Sequence, residues 1–134
     1  MMTATNQERD QEVDAFFTIL GHALVEGDSL TVATLYETPA LLLADAGVQA
    51  IARREEVERF FAGGRAQYTD RGVTSTRADV EQREWLGERV VLVRVRWPYH
   101  DSSGREVGNE RSTYALRRDD EGALRIRAVL AHNE

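Results

Sequence analysis

The strongest constraint on this chain is a set of four strand-like runs in its second half whose connections are too short to cross a sheet. Residues 73–85, 89–99, 106–118 and 123–132 are parted only by Leu86-Gly87-Glu88, Asp101-Ser102-Ser103-Gly104 and Asp119-Asp120-Glu121-Gly122. Each gap is built from turn residues. Gaps this short force antiparallel neighbours, because a parallel crossover needs a dozen residues or more. The second half is therefore expected to form one antiparallel meander.

Alternation assigns the faces of that sheet. Val91, Val93, Val95 and Trp97 share one side, as do Tyr114 and Leu116, and Leu124, Ile126, Ala128, Leu130 and His132. These are expected to face the rest of the chain. The other side collects Arg94, Arg96, Arg111, Arg117, Arg125 and Arg127, with Asp79 and Glu81 on the neighbouring run as expected partners.

The first half has helical periodicity. Residues 1–9 are polar and unpatterned and read as a disordered, frayed terminus, which leaves 10–134 as a single domain. Val13, Phe16, Phe17, Leu20 and Leu24 form the stripe of an amphipathic helix that ends at Gly27. Asp28 is placed to cap a second helix running through Leu30, Ala33 and Tyr36, with Pro39 as its stop. A hairpin follows, turning at Asp45-Ala46-Gly47. Residues 53–63 then read as a third helix, with Glu55 and Glu56 in its first turns and Gly63-Gly64 ending it.

Composition excludes several functions. All 17 basic residues are Arg and none is Lys, so Schiff-base chemistry and a Walker A lysine are impossible. A formal charge of −6 without a basic tail argues against nucleic-acid binding. The absence of Cys removes disulfides, thiolate nucleophiles and cysteine zinc sites, and no two histidines have metal-ligand spacing. No metal or cofactor is expected. The longest apolar run, 39–44, is far short of the roughly 20 residues a membrane helix needs, and the first residues do not resemble a signal peptide. A cytoplasmic protein without membrane contact is the expectation.

Certain stretches resemble the NTF2-like, or SnoaL-like, superfamily. They are Glu26-Gly27-Asp28 at the end of the first helix, Leu35-Tyr36 before Pro39, Arg54-Glu55-Glu56-Val57-Glu58-Arg59-Phe60-Phe61, and the closing Tyr114-Ala115-Leu116-Arg117-Arg118 and Arg125-Ile126-Arg127-Ala128-Val129. The resemblance implies an α+β fold in which three N-terminal helices pack in the concavity of a curved, mainly antiparallel sheet. It further implies a cone with a pocket at its wide end, often in a homodimer. Some members are enzymes of the ketosteroid isomerase, dehydratase or polyketide cyclase kind; others bind ligands or assemble, so fold does not give function.

Carried over by residue, the isomerase pattern matches in one part of three. The first-helix tyrosine donor of such isomerases falls at about Leu20, and their second donor, an aspartate, falls near residues 112–114, where no carboxylate stands. Only the general base has a counterpart, Asp45, which is equally suited to a simple turn role. A tyrosine or His132 is the candidate acid. Tyr36, Trp97, Glu110, Ser112, Tyr114 and Leu130 are candidate pocket residues, the aromatic ones being equally suited to core packing. His22 lies about 180° from Val13 on the helical wheel and is expected in solvent, while His100 borders a turn. The leading expectation is a domain that binds a small, mainly apolar ligand in its cone and dimerises through the sheet. The alternatives are an acid–base enzyme with Asp45 as base, and an assembly module with a filled cone.

Overall fold

A computed structural model describes residues 5–132, the side chain of Arg65 excepted. Helix α1 spans Asn6–Glu26, capped by the Thr5 hydroxyl, which accepts the Glu8 N–H at 3.1 Å. Residues 6–9, read from sequence as frayed, are thus the helix's first turn, because a side-chain cap satisfies a backbone donor that the apolar stripe does not report. Residues 1–4 of that expectation lie outside the described residues. Gly27 closes the helix in the left-handed region at φ 71°, and Asp28 caps α2 (Ser29–Thr34) by accepting the Thr31 N–H and hydroxyl at 3.1 and 2.6 Å. The Gly-Asp elbow is a C-cap run directly into an N-cap.

The second helix is shorter than its apolar spacing predicts. Tyr36 begins strand β1 (Tyr36–Ala44), and Ile126 donates its N–H to the Leu35 carbonyl at 2.8 Å. Pro39 lies inside this strand, after a cis peptide, where the ladder to the final strand shifts register between Tyr36 and Leu41. A missing N–H costs no ladder bond at such a break. The expected hairpin is completed by β2 (Gly47–Ile51). Helix α3 (Arg54–Phe61) is followed by an unanticipated α4 (Gly64–Asp70). Gly63-Gly64 punctuates the helical region without ending it, since Tyr68 on α4 packs on Tyr99 with ring centroids 5.7 Å apart.

Residues 73–85 form two strands, β3 (Ser75–Thr76) and β4 (Asp79–Trp85), both antiparallel to β5 (Val90–His100). The interruption lies beside Pro98, whose carbonyl accepts the Thr76 hydroxyl at 2.7 Å. A strand residue points its C=O and N–H to the same neighbour, and Pro98 has no N–H to offer there. Strands β6 (Glu106–Arg118) and β7 (Leu124–Ala131) complete the meander. The seven strands form one mixed sheet in the order β2-β1-β7-β6-β5-β3, with β4 also on β5 and β1 parallel to β7.

Register confirms the inward faces of β5 and β6 and corrects that of β7. Val91, Val93, Val95 and Trp97 stand opposite Leu116, Tyr114, Ser112 and Glu110. On β7, Ile126 faces Leu116, but Ala128 faces Ala115 and Val129 faces Tyr114, so one residue, Arg127, is extra. A bulge reverses alternation beyond it. Val129 and Ala131 therefore turn inward, whereas Ala128, Leu130 and His132 turn outward, against the sequence expectation. Arg127 holds the bulge by donating to the Pro39 carbonyl at 3.2 Å and the Glu37 carboxylate at 2.6 Å.

Helix α1 lies across the inner face, with Val13, Phe17 and Leu20 essentially inaccessible. Gly21 permits this approach: a Cβ there would come within 3.1 Å of the Trp97 ring. On the outer face Arg94 and Arg111 share Glu81 at 3.4 and 2.7 Å, Arg96 pairs with Glu106 at 2.6 Å, and Arg125 with Asp119 at 3.1 Å. Asp79, the other expected partner, stands opposite Arg96 in register, whose charge goes to Glu106 instead. Such exposed pairs contribute little individually. Among the described residues no helix is long and apolar enough to cross a membrane.

Candidate functional site

At its wide end the cone holds an open cavity of about 540 Å³. Strand parity and one helix face build it. Trp97 and Tyr99 come from β5, Glu110, Ser112 and Tyr114 from β6, Tyr36 from the start of β1, and Leu20 and Leu24 from α1. Phe60, Phe61 and Tyr68 close it from α3 and α4, and Val48 from β2. The wall is mainly aromatic and aliphatic, with few polar groups, the composition of small-molecule sites. Val48 and Phe60, 68 % and 50 % exposed, form an apolar lip.

Two polar groupings stand out. In the floor, the Trp97 Nε1–H donates to the Tyr114 hydroxyl at 3.0 Å, and Tyr114 packs edge-on against Phe17 at 4.9 Å. Burial raises the pKa of Tyr114 well above the ordinary phenol range, against the opposing effect of the Trp97 hydrogen bond. Tyr36 is raised likewise, first by burial and then by the nearby Tyr114. Both phenols are thus held neutral. Nearer the mouth, Arg71 lies 4.9 Å over the Tyr99 ring and 3.9 Å from the Glu110 carboxylate. Tyr99 and Tyr68 are raised mainly by burial, and Glu110 adds to both: it accepts from the Tyr99 phenol and repels ionisation of either ring.

Five of the six pocket residues expected from sequence line this cavity: Tyr36, Trp97, Glu110, Ser112 and Tyr114. Leu130 does not, because the β7 bulge turns it outward, where it is 39 % exposed. The same reversal carries His132 to the outer face, with its Nε2 2.7 Å from the Thr113 hydroxyl. It cannot serve as an acid in this cavity. Asp45 sits exposed at the β1–β2 turn, between Ala44 and Ala46, which do line the cavity edge. His22 is exposed on α1 as expected. Tyr99 and Tyr68 were not singled out from sequence, although alternation extended one step beyond Trp97 points Tyr99 inward; Tyr68 lies beyond the apparent glycine stop and carries no such signal. Among the described residues no group of three or more His, Asp or Glu is arranged to hold a metal ion.

A curved mixed sheet closed by helices around an open cavity defines the α+β cone of the cystatin-like, NTF2-like class. Residues 10–134 match the model of the family described as NTF2-like protein (DUF6841), and the chain belongs to that family. Solved structures agree on the fold. A domain of unknown function with a cystatin-like fold from Nostoc punctiforme superposes with a TM-score of 0.72 at 19 % identity, over 98 % of this chain and 80 % of that one. An NTF-2 like protein of unknown function from Shewanella oneidensis gives 0.71 at 12 % identity, over 93 % and 99 %. A ketosteroid isomerase-like protein from Erwinia carotovora atroseptica gives 0.67 at 12 % identity, over 97 % and 100 %. No curated protein matches the sequence.

Proposed function

We propose that this domain binds a small, mainly apolar molecule in its cone. The observation that carries the reading is the cavity itself: about 540 Å³, aromatic-walled and open to solvent past an apolar lip. That volume falls within the range of about 300–1,000 Å³ typical of small-molecule sites. A cone serving only as an assembly scaffold gains stability by filling this space. The test is a thermal-shift and calorimetric screen of small alicyclic and aromatic compounds, repeated on Ser112→Phe, which fills the cavity from β6. Saturable binding by the wild type that the variant loses supports the reading; no binder among such compounds overturns it.

The domain's proposed assembly is a homodimer through the outer sheet face. Leu41 and Leu130, 43 % and 39 % exposed, lie close together on that face, since Leu41 pairs with Ala128 and Leu43 with Leu130. Arginine rows flank them, and their stems extend the apolar area.

A further inference from the structure

We infer that the ligand of this cavity is an apolar molecule with one positive charge, an ammonium group held near the mouth by the Glu110 carboxylate and the aromatic wall around it. This rests on the reading of the cavity as a ligand site.

The lining sets the sign of the charge. Seven of the residues that line the cavity are aromatic, and Glu110 is the one charged residue among the described residues there, although the chain carries 17 Arg. The face of an aromatic ring is electronegative and attracts a cation, that of Trp most strongly. Glu110 stands directly opposite Trp97 in the β5–β6 register, so the two side chains lie together on the inner face. Other rings of the wall meet at steep angles, Phe60 and Phe61 at 70° and Tyr68 and Tyr99 at 52°. Rings so inclined make a corner in which a rounded ammonium group touches more than one of them, as in aromatic cages.

The protein's own cation shows what this corner attracts. Arg71, which does not line the cavity, lies 4.9 Å over the Tyr99 ring and 3.9 Å from the Glu110 carboxylate. The side chains of that ion pair are 53 % and 61 % exposed, so water screens it and it holds Glu110 only weakly. The neighbouring phenols register the balance of the two charges. Burial is the first cause of the raised pKa of Tyr68 and of Tyr99; Glu110 comes next at both, and Arg71 opposes it less strongly. At Tyr114, where burial dominates against the Trp97 hydrogen bond, Tyr68 and Glu110 raise the pKa further. A negative potential at these rings disfavours an anionic ligand and favours a cation.

The experiment compares three probes of similar shape: phenyltrimethylammonium, its neutral isostere tert-butylbenzene, and benzenesulfonate as the anion. An NMR titration follows the indole N–H of Trp97, which lines the cavity, with that of Trp85, which does not, as the control. The ammonium is expected to bind about tenfold more tightly than the sulfonate. In Glu110→Gln it is expected to weaken about fivefold, while tert-butylbenzene stays within about twofold of its wild-type affinity. Binding of tert-butylbenzene without the ammonium, or sulfonate binding as tight as that of the ammonium, overturns the inference and leaves the cavity reading standing. So does an equal response of the ammonium and tert-butylbenzene to Glu110→Gln. If no probe shifts the Trp97 resonance, the cavity reading fails and this inference with it. Near-ultraviolet circular dichroism verifies folding, and the wild-type order of ammonium and sulfonate decides the matter if the variant does not fold.

Discussion

The Phe17 ring packs edge-on against Tyr114 with 4.9 Å between centroids, so a single contact joins the centre of α1 to the floor of the cavity. Phe17 has no solvent exposure and also meets Phe16 at 5.2 Å and Trp97 at 6.5 Å. The aromatic pair that shapes the site is therefore held by the same residue that fixes the helix on the sheet.

Phe17→Ala is expected to cost about 3–5 kcal/mol through lost transfer energy and the cavity left behind. A thermal melt is the check. A midpoint lower by roughly 10 °C or more agrees with this packing, and an unchanged midpoint contradicts it.

Tyr114→Phe keeps the ring against Phe17 but leaves the buried Trp97 N–H without its acceptor. The expected loss is about 1–3 kcal/mol. Tyr36→Phe removes no hydrogen bond to the described residues and is expected to stay within about 0.5 kcal/mol of wild type. Urea titrations of both, with unchanged slopes, decide between these outcomes.

Acid weakens the turns in a stated direction. The Asp28 carboxyl is held below the ordinary aspartate value of 3.8 by the Thr31 hydroxyl and N–H, that of Asp101 by Ser103 and the Arg105 N–H, and that of Asp119 chiefly by the Ala123 N–H. A depressed folded-state pKa gives stability that is fully present above the unfolded value and is lost as pH falls through the folded one. Stability from these groups is thus constant above about pH 5 and declines below 3.8. Denaturation midpoints at pH 7, 5 and 3 should show this, and Asp119→Asn should flatten the acid limb.

Sedimentation of the wild type at micromolar concentration is expected to show a dimer. Leu41→Glu with Leu130→Glu should give a folded monomer, because four carboxylates would then meet in a symmetric interface. Raised salt weakens the dimer if ion pairs dominate it and leaves it intact if the leucines do. A monomeric wild type rules the arrangement out.

Asp45→Asn tests the acid–base alternative. With Asp45 exposed at the β1–β2 turn, the substitution is expected to change stability by no more than about 0.5 kcal/mol and to leave probe binding as it was. Loss of a measurable turnover in this variant alone would restore Asp45 as a base.

The sequence by itself determined much of this protein. Turn chemistry at Leu86-Gly87-Glu88, at 101–104 and at 119–122 set the three meander connections, because each needs only local backbone preferences. Alternation on β5 and β6 placed Trp97, Glu110, Ser112 and Tyr114 on the concave side for the same reason: a strand's period is two unless something interrupts it. The Gly27-Asp28 elbow was legible because caps are local. What tertiary structure alone decided were the interruptions and the long-range pairings. The extra residue at Arg127 depends on Glu37 and Pro39, about ninety positions away, and it alone moved Leu130 and His132 out of the site. Tyr36 left its helix for a strand because β7 supplied a partner, and Tyr68 reached the cavity because Tyr99 stood there to receive it. Local patterns fix which way a side chain points within an intact element. Contacts between distant segments fix where the element breaks, and here those breaks decided which residues the cavity received.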